Sequence, residues 1–205
     1  GGAGNVAANL AGLGVKVYAA GVTGLDEHRE SLEKKMAAAG IDYSGLLPMP
    51  GRSTITKMRI IGARQQMLRL DFEEPGDLAP EEERQLLDWL QKRLQEGLDG
   101  IVLSDYAKGV CSDHFCQTVI DLAHSAQVPV LVDPKGADWR KYAGCDFITP
   151  NVKEMCEAGG RVVPNETEPL VELAAKARDA FQIKNVVVTR SEKGVSLINR
   201  KEVIT

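Results

Sequence analysis

Several common signatures are missing from this sequence. It has no apolar run near the about 20 residues of a membrane span, and aromatics make up only 5% of its 205 residues. It has no excess of positive charge. The net charge is −4, so no general affinity for nucleic acid is expected, and any phosphate site must be built locally from a few cations and N–H groups. It has no Cys-x-x-Cys pair. Cys111, Cys116, Cys145 and Cys156 stand apart, with no histidine at zinc-finger spacing, so reduced thiols in a cytoplasmic protein are expected. It has no Gly-x-x-x-x-Gly-Lys-Ser/Thr loop and no Gly-x-Gly-x-x-Gly order, which removes the Walker and dinucleotide fingerprints. No signal peptide is expected, since the sequence opens directly on Gly-Gly-Ala-Gly-Asn. His28, His114 and His124 fall in helical stretches, and nothing marks them as ligands or bases.

What is present is a globular balance, 43% hydrophobic and 26% charged, long enough for one α/β core with a small appendage. Small and apolar residues at helical spacing predict a helix over 3–13, stopped by Gly12 and Gly14. A buried strand is predicted over 15–21, and a helix capped by Asp26 runs to Ala39 before Gly40. Residues 53–61 and 65–73 alternate like strands around a turn near Gly62. Lys57 and Arg59 share one face of the first strand, Arg69 and Asp71 one face of the second. Two such polar-faced strands predict a small sheet apart from the main core.

From Pro80 the helical period returns, with Leu86, Leu90 and Leu94 in one stripe ended by Gly97. Strand and helix then alternate. Strands are predicted over 100–104, 129–132, 145–149, 185–189 and 195–199, and helices over 112–126, 151–158 and 166–181. Short apolar strands alternating with helices predict a mostly parallel sheet covered by helices.

In open α/β sheets ligands bind beyond the carboxyl ends of the strands. Ile-Val-Leu-Ser leads to Asp105-Tyr106-Ala107-Lys108-Gly109, and Val-Leu-Val to Asp133-Pro134-Lys135-Gly136. Phe-Ile-Thr-Pro leads to Asn151-Val152-Lys153-Glu154, and Val-Val-Val to Thr189-Arg190-Ser191-Glu192-Lys193-Gly194. Acid, amide, hydroxyl and cation are thus expected on one rim, a set suited to phosphoryl transfer. Lys108, Lys135 and Arg190 can meet phosphate. Asp105, Asp133 and Glu154 can face Mg²⁺ directly or through its waters. Each residue also has a plain reading. Asp105 and Asp133 serve as turn residues, Asn151 as a helix cap, the lysines as solvated charges. Gly1-Gly2-Ala3-Gly4-Asn5 opens a helix and suits either a tight turn or close approach of a ligand. Lys57 and Arg59 suit either a solvated face or a clamp on an anion.

Gly1-Gly2-Ala3-Gly4-Asn5-Val6-Ala7 resembles the sugar-binding glycine segment of ribokinase-like (PfkB) carbohydrate kinases. Thr149-Pro150-Asn151-Val152-Lys153-Glu154 is similar to their Asn-x-x-Glu motif, and Val188 to Gly194 to the strand and loop that approach the nucleotide. Thr54 to Arg59, Gln65 to Glu73, Leu103 to Gly109 and Val132 to Gly136 resemble the heptose 7-phosphate kinase domain of bifunctional ADP-heptose synthases. The resemblance implies a doubly wound α/β fold with a β lid within about residues 43–74. It implies ATP and Mg²⁺ as cofactors, and transfer of the γ-phosphoryl to the anomeric hydroxyl of D-glycero-D-manno-heptose 7-phosphate. Gly1, Gly2, Asn5, Lys57, Arg59, Asp105 and Lys108 become substrate-binding candidates. Asp133, Lys135, Asn151, Val152, Lys153, Glu154, Thr189, Arg190 and Gly194 become nucleotide-binding candidates, with Glu154 toward the metal. A homodimer through the lid is implied; no nucleic acid or membrane partner is. The family's opening strands are expected before Gly1. Its Gly-Ala-Gly-Asp motif with the general base is expected beyond Thr205, so this piece alone is expected to turn over little. Another ribokinase-like sugar kinase, or a non-catalytic binding or dimerisation module, would share much of this pattern.

Overall fold

The computed structural model of the chain describes residues 2–73 and 76–205. It divides into two compact units, Gly1–Leu90 with Lys108–Val110, and Gln91–Ala107 with Cys111–Thr205. Gly1 lies outside the described residues.

In the first unit, α1 (Gly2–Gly12) leads to β1 (Tyr18–Thr23), α2 (Glu27–Ala38) and β2 (Asp42–Pro48). The strand predicted from Val15 begins three residues later, at Tyr18. It pairs in parallel with β2, from Tyr18 opposite Asp42 to Thr23 opposite Pro48. Ala7, Val17, Met36, Ile41 and Leu46 form the core here, with Leu10 and Leu32 packed against it; large aliphatics in such positions contribute about 1.5–3 kcal/mol each. Strand β2 was not predicted as a separate element; its residues fall largely within the span, about 43–74, that the resemblance gave to the lid, and they pair with β1. Gly45 is required by close approach: a Cβ there would lie 2.8 Å from Ala19 O and 2.8 Å from the Trp89 ring. Asp26 caps α2 as expected, accepting from Arg29 N at 3.0 Å. Its other oxygen accepts from Thr54 N at 2.8 Å, so the cap also fixes the approach to the next strand.

β3 (Thr56–Gly62) and β4 (Gln65–Phe72) form a separate antiparallel ribbon. Lys57 faces Asp71 and Arg59 faces Arg69 on one side; Met58 faces Leu70 and Ile60 faces Leu68 on the other. Both faces are exposed, so the apolar side (Met58, Ile60, Leu68, Leu70, Phe72) is uncovered. Ala63 and Arg64 turn the ribbon with φ of 48° and 68°, the left-handed pair used by two-residue hairpin turns. Arg52 holds both feet of the ribbon. It donates to Gly76 O at 3.2 Å and Asp77 O at 2.6 Å, and pairs with Glu82 at 3.1 Å in α3 (Pro80–Glu96).

The second unit holds a six-stranded sheet in the order β10-β9-β8-β7-β6-β5. Its strands are β5 (Ile101–Ser104), β6 (Val130–Asp133), β7 (Phe147–Ile148), β8 (Asn185–Thr189), β9 (Val195–Ile198) and β10 (Val203–Ile204). β5 to β8 run parallel, β9 pairs antiparallel to β8, and β10 pairs antiparallel to β9. The connecting helices are α4 (Asp113–Ser125), α5 (Val152–Ala158) and α6 (Thr167–Ala180). Cys116, Val119, Ile120 and Ala123 bury one face of α4; Leu170, Leu173, Ala174 and Ala177 bury one face of α6. Val130, Val132, Ile148, Val186 and Val188 are fully buried in the sheet. This is the mostly parallel, helix-flanked α/β sheet expected. All four cysteines are free thiols, and burial pushes the Cys145 thiol up to about 12. Among the described residues no helix is long and apolar enough to cross a membrane.

Candidate active site

Parallel pairing decides where the polar strand tips go. Ser104 stands opposite Asp133, Val132 opposite Ile148 and Ile148 opposite Val186. The ladder continues past the strands, since Asp105 N donates to Asp133 O at 3.0 Å and Thr189 N to Pro150 O at 2.9 Å. Asn151 bridges Thr189. Asp105, Asp133, Asn151 and Thr189 therefore leave the sheet at one edge, side by side.

The edge is not uniform. Asp133 is half-buried. Burial first, and then the Glu154 charge, push its carboxyl above the usual range, with Lys135 opposing. Lys135 Nζ lies 3.8 Å from Glu154 Oε1 and is half-exposed. Asn151 and Glu154 form a reciprocal cap on α5: Asn151 Oδ1 accepts from Glu154 N at 3.0 Å, and Glu154 Oε2 accepts from Asn151 N at 3.1 Å. Val152 opens α5, and Lys153 extends into solvent, 3.7 Å from Glu157. Thr189 ends β8 exposed. Gly194 closes the following turn at φ 77°, a conformation costly for any side chain.

Two expectations at this edge are corrected. Arg190 does not reach outward to phosphate. It is 3% exposed, and its guanidinium donates to Asn165 Oδ1 at 3.0 Å, Ser196 Oγ at 3.0 Å and Thr167 Oγ1 at 3.2 Å. Asp105 is not an open acid either. It is 4% exposed, and its carboxylate accepts from Ala107 N, Lys141 Nζ and Tyr142 OH, each at 2.6 Å. Burial alone would lower the Lys141 pKa, but the hydrogen bond and charge of Asp105 win and raise it; the ammonium stays charged. Lys141 and Tyr142 were not singled out in the sequence. They lie eight and nine residues past Asp133, in Trp-Arg-Lys-Tyr.

In the first unit Asn5 is exposed on α1 and Gly2 starts that helix at φ 53°. On the ribbon, Asp71 lies between Lys57 at 3.7 Å and Arg69 at 3.0 Å. Arg59 pairs with no carboxylate among the described residues. Lys108 pairs with Glu73 at 2.5 Å.

The donor set fits a divalent ion shared with a polyphosphate. Burial first and the Glu154 charge second raise the Asp133 carboxyl, and a bound cation would offset both. Among the described residues no group of three or more His, Cys, Asp or Glu side chains could hold a metal. One or two carboxylates, with phosphates and waters completing the shell, is the Mg²⁺ pattern.

A largely parallel α/β sheet with polar strand tips at one edge, and a separate two-stranded β ribbon, is the arrangement expected of a ribokinase-like kinase. The chain belongs to the pfkB family of carbohydrate kinases, whose model matches residues 1–205. It is 43% identical over 201 residues to the bifunctional protein HldE of Methylobacillus flagellatus, covering 98% of this chain and 41% of that one. It is 38% identical over 200 residues to HldE of Geobacter sulfurreducens, covering 98% and 40%. The chain thus spans about two fifths of the length of these curated relatives. Among solved structures, phosphofructokinase-2 from Escherichia coli in its tetrameric inhibited form matches with a TM-score of 0.77 at 20% identity, covering 100% of this chain and 66% of that one. Ribokinase of Arabidopsis thaliana complexed with ribose and ATP matches with a TM-score of 0.73 at 20% identity, covering 98% and 64%. At such identities the structural likeness shows the fold alone.

Proposed function

We propose that the chain is the kinase part of a heptose 7-phosphate kinase, which phosphorylates D-glycero-D-manno-heptose 7-phosphate at its anomeric hydroxyl with ATP, in the cytoplasm, on the route to ADP-heptose and the lipopolysaccharide core. The observation that carries it is the shared edge of Asp133, Lys135, Asn151, Glu154 and Thr189. The sugar assignment rests on the likeness of residues 54–59, 65–73, 103–109 and 132–136 to heptose kinases, and on relatives named HldE.

In this reading Lys57 and Arg59 hold the substrate 7-phosphate, as the cationic face of the ribbon suits. Asn5 and Gly2 address sugar hydroxyls. Lys135 meets the nucleotide phosphates, and Thr189 and Gly194 approach the nucleotide. Asp133 and Glu154 would hold Mg²⁺, which supplies charge neutralisation on the ATP phosphates when bound. The anomeric oxygen attacks the γ-phosphorus in line, the bond to the bridging oxygen of ADP breaks, and the hydroxyl proton passes to a base expected beyond Thr205. Asp105 acts as an internal anchor, not as a ligand. The uncovered apolar side of the ribbon supports a homodimer through that surface.

The test is a substrate panel with ATP, run on the chain as given and on the chain extended to the length of its relatives. Turnover of heptose 7-phosphate by the extended protein is expected, with little or none by the chain alone. Turnover of fructose 1-phosphate or ribose in its place would assign a different sugar, and no turnover of any sugar would favour a binding module.

A further inference from the structure

The loop after β6 is pinned at three backbone points. Asp133 O accepts from Asp105 N at 3.0 Å. Lys135 N donates to the Tyr142 hydroxyl at 3.2 Å. Gly136 O accepts from Trp139 Nε1 at 3.2 Å. Since Tyr142 OH receives the Lys135 N–H, its own proton goes to the nearer acceptor, Asp105 Oδ2 at 2.6 Å, and not to Lys135 O at 3.5 Å. Lys141 donates to the same carboxylate oxygen and also to Cys111 O at 3.1 Å. Tyr142 and Trp139 are fully buried, and the Asp105 side chain is 2% exposed.

A charged group this deep costs several kcal/mol unless it is paired and hydrogen-bonded, and here both conditions are met. The third donor to Asp105, Ala107 N, belongs to a non-glycine residue at φ 52°. Such left-handed strain persists where surroundings over-determine it, and it clusters near functional sites. A bare packing role would be served by apolar side chains of the same size. One ammonium, one phenol and one backbone N–H, converging on the two oxygens of a single carboxylate, instead fix a direction.

We infer that Lys141 and Tyr142 are positioning residues for the proposed phosphoryl transfer, locking the Asp133–Gly136 loop through the buried Asp105 carboxylate so that Asp133 and Lys135 are held toward Glu154. The chain of contacts runs from Asp105 through the Tyr142 hydroxyl to the Lys135 peptide. The Lys135 ammonium then lies beside Glu154. This deepens the kinase reading above and rests on it for the catalytic readout only.

The test uses Tyr142→Phe, Lys141→Met and Lys141→Arg in the extended protein, followed by amide hydrogen exchange and steady-state kinetics. In Tyr142→Phe, exchange at the Lys135 amide should rise about tenfold, the loss of one hydrogen bond to a charge-linked hydroxyl, with Leu131 and Val132 unchanged. KM for ATP should rise about tenfold while KM for the sugar phosphate stays within about twofold. Lys141→Arg should keep both near wild type, and Lys141→Met should lose them. Unchanged exchange at Lys135 would overturn the inference, and so would an equal loss of protection across β5 and β6, which marks general loosening. An unchanged KM for ATP in an active enzyme would overturn it too. If the wild type turns over no sugar, the kinase reading fails, and the Lys135 exchange result alone decides the positioning role.

Discussion

The Lys184 ammonium stands 2.7 Å from Asp146 Oδ1, while His124 Nε2 at 3.0 Å and Val130 N at 2.9 Å engage Oδ2. One carboxylate just before β7 thus ties α4, β6 and the entry to β8. Burial raises its pKa, but the Lys184, Val130 and His124 hydrogen bonds outweigh that and hold it below the usual range. A depressed folded value means the stabilisation is complete above the unfolded carboxylate pKa and disappears as pH falls through the folded one. Asp146→Ala should cost about 2 kcal/mol at neutral pH. The gap to wild type should close in acid; urea unfolding at neutral and acid pH checks both.

Asp133 carries the opposite sign. Its folded value is raised, chiefly by burial and then by Glu154, so its ionised form costs stability once pH passes above the unfolded carboxylate range. Asp133→Asn should raise the thermal midpoint at neutral pH in the presence of a chelator. That gain should fade below the unfolded carboxylate pKa, where both forms are neutral. Greater stability with lost nucleotide binding is the pattern of a site residue.

The ribbon turn offers a third check. Arg64 takes φ 68° without being glycine or asparagine, a conformation costing about 1 kcal/mol for an L side chain. Arg64→Gly should relieve part of that cost and slow amide exchange along β3 and β4, where protection reports local opening.

The apolar side of the ribbon offers a fourth. Met58 and Leu70 are cross-strand neighbours and both exposed. If this surface joins two copies, sedimentation should give a dimer for the wild type. Met58→Asp with Leu70→Asp should give a monomer, since each buried side chain is worth about 1.5–3 kcal/mol. A wild type that stays monomeric at high concentration removes the dimer.

The strand tips were legible because each follows a short apolar run, and parallel pairing then leaves little freedom in where they emerge. The Asp26 and Asn151 caps and the extents of α4 and α6 were legible for the same local reason. Long-range pairings were not. Arg190 looked like a surface cation until Asn165, Thr167 and Ser196 closed around it. Asp105 looked like an open acid because its partners lie 36 and 37 residues along the chain. Strand β2 was not read as a separate strand, because its pairing with β1 and the Gly45 contact with Trp89 are set by residues distant along the chain.

The shared edge of the sheet is the claim on which the rest depends, and an ¹⁵N-labelled protein titrated with Mg·ADP tests it most directly. Amide shifts should move together at Asp133, Lys135, Asn151, Glu154, Thr189 and Gly194, with α2 and the ribbon tip unaffected. Shifts confined to other surfaces, or none at saturating nucleotide, would contradict it.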